Sequence, residues 1–79
     1  MTYSARNMQE DIENRVRKDF PDADVVVALE GNRATIAVTS ERFEGLSRVQ
    51  RQQAVYACIQ EYIADGRLHA VTIRAQPPG

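Results

Sequence analysis

The sequence predicts one small α+β domain built in the order α-β-β-α-β. Three observations predict it. The chain has 79 residues, and a domain of that size buries only about 60% of its unfolded surface, enough for one core and no second lobe. Two stretches carry helix-start signals followed by apolar residues at helical spacing. Three short runs rich in β-branched residues are bounded by turn residues.

The first helix starts at Asn7-Met8-Gln9-Glu10, which has the residue types of a capping box with Asn at the cap. Met8, Ile12 and Val16 then recur every fourth residue, and Pro21 ends the run. So narrow a stripe suits a helix lying on a sheet with its other sides in water. Asp24-Val25-Val26-Val27-Ala28-Leu29 reads as the first strand, Glu30-Gly31-Asn32-Arg33 as a tight turn with Gly31 and Asn32 at positive φ, and Ala34-Thr35-Ile36-Ala37-Val38-Thr39 as the returning strand. Ile36 and Val38 fall on one face of it, because strand side chains alternate.

Ser40 to Leu46 reads as a loop in which Phe43 plugs the core. Ser47-Arg48-Val49-Gln50 is a second capping box, here with Ser at the cap. Val49, Val55, Tyr56, Ile59, Tyr62 and Ile63 are expected on one broad buried side of the second helix, which stops at Asp65-Gly66. Leu68 to Ala75 is the third strand, with Ala70, Thr72 and Arg74 on one face and Val71 and Ile73 on the other. Gln76 to Gly79 is expected to fray, leaving an ordered core from about residue 7 to 75. Two helices covering one face of a three-stranded sheet follow from this order, with the third strand parallel to one of the others.

Composition narrows the function. Hydrophobic residues make up 43% and charged residues 27%, ordinary for a globular domain and outside the ranges of disordered, collagen-like or disulfide-rich chains. There is no apolar run near the roughly 20 residues of a membrane span, and Met1 to Arg6 do not read as a secretion signal. The single cysteine, Cys58, forms no internal disulfide, so a reducing cytoplasm is expected. Net charge is −1, whereas a protein held on nucleic acid mainly through phosphates carries a large positive excess. The acids gather early, and Arg33, Arg42, Arg48 and Arg51 make the middle mildly basic.

Few residues offer chemistry. The chain has no glycine-rich phosphate loop and no serine nucleophile motif, and nothing in the sequence brings Cys58 and the single histidine, His69, together, so no enzyme is expected. His69 is the one side chain that both titrates near neutrality and ligates borderline metals. At the start of the third strand it reads either as a half-buried ring closing the mouth of the sheet or as an exposed donor. One histidine is no metal site, because a metal or cluster takes about four ligands. Cys58 reads as a small buried hydrophobe. Arg48 and Arg51, at a helix N-terminus, either hold an anion or pair with Glu41 and Glu44.

Phe43-Glu44-Gly45-Leu46-Ser47-Arg48-Val49-Gln50-Arg51, then Val55-Tyr56, then Leu68-His69-Ala70-Val71-Thr72-Ile73, resembles the BolA family over about Met8 to Ala75. Gln52-Gln53 and Glu61 to Asp65 look closer to its IbaG-type branch. The resemblance implies a class II KH-like fold and two activities. One is partnership with a monothiol glutaredoxin in holding or passing a [2Fe-2S] cluster, with His69 as ligand and the glutaredoxin cysteine and glutathione supplying others. The other is DNA binding and transcriptional control through the second helix and its preceding loop.

The chain departs from the family pattern at two places. Many family members carry a second His or Cys ligand in the hairpin turn. Here that position holds Arg33, which stays protonated and ligates no iron. A cluster is then held less firmly, or the complex forms without one, with Arg33 contacting glutathione or the glutaredoxin instead. There is also no GXXG loop of the kind by which KH domains clamp a nucleic-acid backbone. The sequence therefore predicts a protein monomeric by itself. It predicts a partner surface formed by His69, the hairpin turn and the Phe43–Arg51 segment, with Arg33, Arg42, Ser47, Arg48 and Arg51 as binding residues.

Overall fold

A computed structural model describes residues 5–79, with side chains from Met8 onward. The order is α1 (Ala5–Asp19), β1 (Asp24–Glu30), β2 (Arg33–Thr39), a 3₁₀ turn (Glu41–Phe43), α2 (Arg48–Ala64) and β3 (Ala70–Gln76). This is the predicted α-β-β-α-β arrangement. The sheet runs β1-β2-β3, with β1 antiparallel and β3 parallel to the central β2.

α1 presents Ile12 and Val16 fully buried and Met8 half-buried, the stripe that the spacing predicts. Asn7 lies inside the helix rather than at its cap, and its side chain and the segment Met1 to Ser4 are outside the described residues. Arg17 and Lys18 occupy the last turn, where cations complement the helix dipole. Phe20 closes the helix and packs against Phe43 with ring centroids 4.9 Å apart.

The hairpin register pairs Glu30 with Arg33 across a two-residue turn. Gly31 has φ +60° and no non-glycine residue is at positive φ among those described. That is the type II′ pattern, which needs the left-handed conformation only at its first central residue. The expectation of positive φ at Asn32 is thus corrected.

Alternation divides the sheet into two faces. Val25, Val27, Ala34, Ile36 and Val38 point inward and are buried beneath the helices. Val26, Ala28, Thr35, Ala70, Thr72 and Arg74 point to the other face and are exposed, Val26 by 65%. Both helices therefore cover one face, and α1 lies over β1 while α2 lies over β3. Phe43 plugs the core at 0% exposure, as the sequence predicts.

α2 departs from expectation on one side. Val55, Ile59 and Tyr62 are fully buried and Ile63 half-buried, but Val49 is 62% and Tyr56 39% exposed. The sheet ends at β3, so it covers a narrower strip of the helix than the apolar count suggests. The helix ends at Asp65 and Gly66 as read, with Gly66 at φ +84°. β3 begins later than predicted. Leu68 is a buried plug whose N–H donates to the Tyr62 carbonyl, not a strand residue. Gln76 belongs to the strand rather than to a frayed tail, and its carbonyl accepts the Ser40 N–H at 3.1 Å.

Candidate functional site

Apart from Arg42, the sequence-derived candidates fall into two groups at opposite ends of β3. At 3.3 Å per residue, the seven-residue strand separates them by about 20 Å.

The first group surrounds His69. The parallel pairing that sets Arg33 beside Ala70 brings the residue just before β3 against the hairpin turn. There the His69 N–H donates to the Asn32 carbonyl at 2.8 Å. The backbone is thereby fixed, while the imidazole is exposed and has no hydrogen-bond or ion-pair partner among the described residues. Of the two readings open from sequence, the half-buried, hydrogen-bonded ring is not the one observed. Arg33 is exposed, pairs with Ala70 and faces Glu30 in register.

Among the described residues no group of three or more His, Cys, Asp or Glu side chains converges on a metal-sized site. The chain therefore offers one imidazole donor, and any cluster held there needs ligands from outside it. Cys58 is not among them. Its thiol is half-buried on the α1 side of α2 and donates to Asp19 at 3.2 Å. Burial first, and the Asp19 carboxylate second, push its pKa up to about 12. It stays a thiol at neutral pH, which fits its reading as a packing residue.

The second group sits at the start of α2. The Ser47 hydroxyl accepts the Gln50 N–H at 3.1 Å and the Gln50 side chain accepts the Ser47 N–H at 2.9 Å, completing the capping box. Ser47 thus uses its polar atoms to begin the helix. The Arg51 Nε donates to the Phe43 carbonyl at 3.1 Å, which ties the helix to the aromatic plug. Arg48 is exposed, and neither it nor Arg51 pairs with Glu41, Glu44 or any other described carboxylate.

Both arginines line a cleft of about 630 Å³ whose other wall is Thr72 to Gln76. Arg74 lies on that wall. Its side chain starts from the helix-free face, as sequence reading assigned, and borders the cleft because β3 is the edge strand. Arg42 stands apart, on the 3₁₀ turn near Asp22. There the Glu41 N–H and the Ser40 hydroxyl, with Arg42 nearby, hold the Asp22 carboxyl below the usual range.

Comparison with known proteins follows the same outline. The family model described as BolA-like protein matches residues 23–79. That is narrower than the span from Met8 suggested by sequence, since α1 lies outside it. An uncharacterised protein from the rpoN–murA intergenic region of Acinetobacter guillouiae is 50% identical over 56 residues, covering 71% of this chain and 68% of that one. The acid stress protein IbaG of Escherichia coli is 46% identical over 55 residues, covering 70% and 66% respectively. Among solved structures, the BolA domain of SufE1 from Arabidopsis thaliana superposes with a TM-score of 0.80 at 24% identity, over 98% of this chain and 96% of that one. BolA1 from the same plant gives 0.79 at 24% identity over 91% and 93%. These two superpositions establish the fold and extend the likeness across α1.

Proposed function

The chain belongs to the BolA-like family, and from that premise we propose that it is an adaptor that docks a monothiol glutaredoxin and helps hold or pass a [2Fe-2S] cluster. The observation that carries this reading is His69, a solvent-facing imidazole without a partner among the described residues, on a backbone pinned to the hairpin turn. A ring in that state has a lone pair to give and a fixed base to give it from. A cluster bound through it takes its remaining ligands from the partner, the glutaredoxin cysteine and glutathione. Imidazole in place of a thiolate lowers the negative charge on a cluster and raises its potential. Such a shared site differs chemically from an all-sulfur one.

Arg33 supplies no ligand, so the chain contributes one. Its guanidinium, exposed on the strand position paired with Ala70, is available to a carboxylate of glutathione or of the partner. The alternative of duplex DNA binding has Arg48 and Arg51 in its favour. Against it stands a net charge of −1.

The test is a titration with a cluster-loaded monothiol glutaredoxin followed by visible circular dichroism. The parent protein is expected to change the cluster spectrum and His69→Ala to leave it unchanged. An unchanged spectrum with the parent protein overturns the proposal.

A further inference from the structure

β3 ends the sheet, and its outer edge is unsatisfied. In a parallel pair each residue sends both its N–H and its carbonyl to one side, alternately. The Ala70 N–H turns to Asn32 and the Gln76 carbonyl to Ser40, so the even-numbered residues bond towards β2. The main-chain groups of Val71, Ile73 and Ala75 therefore point away from the sheet, and among the described residues nothing pairs with them. Their side chains tell the same story. They face the helices, yet they are only half-buried, whereas their β2 partners Ala34, Ile36 and Val38 are buried.

α2 extends past this edge and forms the floor of a trench. Gln53, Tyr56, Ala57 and Gln60 line one half of it together with Val71 and Ile73, over about 420 Å³. Arg48, Arg51 and Arg74 line the other half.

We propose that this trench receives an extended acidic segment of a partner protein, which adds to β3 as a fourth strand. About five residues at 3.3 Å each span it. Apolar side chains of the segment cover Tyr56, Val71 and Ile73, and its carboxylates meet the arginines. Its main chain supplies the alternating donors and acceptors that Val71, Ile73 and Ala75 require. The phosphate backbone of a nucleic acid supplies acceptors alone, so only its base edges meet the carbonyls, and a chain of net charge −1 gives its phosphates little to hold. A second copy pairing through its own β3 brings Ala70–Gln76, a strand with no carboxylate, and one pairing through its other edge, β1, brings only Asp24 and Glu30, one at each end, so a single carboxylate reaches the three arginines. Charge complementarity therefore selects the acidic peptide. The inference goes beyond the His69 reading and does not depend on it.

Two synthetic nonapeptides of alternating Val and Ser, with three glutamates at the N- or the C-terminal end, test it against the ¹⁵N-labelled full chain. One of them is expected to bind and to slow amide hydrogen exchange at Val71, Ile73 and Ala75 at least about tenfold. Arg48→Glu and Arg74→Glu are each expected to weaken it at least about fivefold at low salt, and His69→Ala to leave it unchanged. Failure of both peptides at millimolar concentration overturns the proposal. So does binding without protection of those three amides, or equal binding of the peptides with lysine in place of glutamate. Protection of the same amides in the protein alone, with a dimer mass, assigns the edge to a second copy. Their protection by a single-stranded oligonucleotide assigns it to nucleic acid. Either result overturns the acidic-peptide assignment.

Discussion

Tyr62 has its ring in the core and its hydroxyl at a carboxylate. The hydroxyl donates to Asp11, whose carboxylate also accepts the Arg15 Nε at 2.8 Å. Arg15 and Arg67 stand over the ring, with guanidinium carbons 5.0 and 4.0 Å from its centre. The Tyr62 hydrogen bond, ahead of Arg15, holds the Asp11 carboxyl below its usual range. A carboxylate depressed by folding contributes stability above its unfolded pKa and loses it as pH falls through the folded value. Tyr62→Phe is therefore expected to cost about 1–2 kcal/mol at neutral pH. The deficit should shrink in strong acid, and the acid-unfolding midpoint should move to higher pH. Urea unfolding at pH 7 and in strong acid measures the deficit, an acid titration without denaturant measures the midpoint, and parallel pH profiles for the two proteins would contradict it. None of this network was legible in the sequence, because Asp11 and Tyr62 are 51 residues apart and only the packing of α1 on α2 joins them. His69 was legible as a residue of interest, but not its exposure, and the strand starts at Ala70, two residues later than its pattern implies.

Among the elements, α2 is the most fully written in local sequence. Its start follows from Ser47 and Gln50, its stop from Asp65 and Gly66, and both are found. Ser47→Ala removes one arm of the capping box and is expected to cost about 1 kcal/mol. For a domain of this size that lowers Tm by roughly 4–8 °C. Thermal unfolding followed at 222 nm reads it, and an unchanged midpoint would show that the cap is dispensable. What α2 did not reveal is where its apolar side meets water. Val49 and Tyr56 share helical spacing with buried residues, and only the number of strands beneath them decides their exposure. Arg74 is the complementary case. Strand alternation predicted its face, but its place on the cleft beside Arg48 and Arg51 comes from β3 being the edge strand, which the whole fold decides. First-helix boundaries failed for a simpler reason, since a cap-type residue such as Asn7 is also tolerated inside a helix.

At the scale of the molecule, one core holds all five elements. Phe43, between the hairpin and α2, touches Phe20 and is fully buried. Phe43→Ala is expected to cost about 3–5 kcal/mol, a large share of the 5–15 kcal/mol available to a folded domain. Denaturant titration is expected to show a sharply lower midpoint or a chain already unfolded in buffer, and a loss under 1 kcal/mol would refute its place as the plug. No helix among the described residues is long and apolar enough to cross a membrane. The order of elements, the single covered face and the direction of β3 were all readable, because periodicity and turn chemistry agreed with one another throughout. The central position of β2 has one more consequence. Its second neighbour is the last strand in the order, with all of α2 between them. On the ribosome, Ala34, Ile36 and Val38 emerge with one side of their strand bare and wait for α2 and β3 to be synthesised before it is sealed. That interval is when the nascent chain is most open to mispairing with its neighbours.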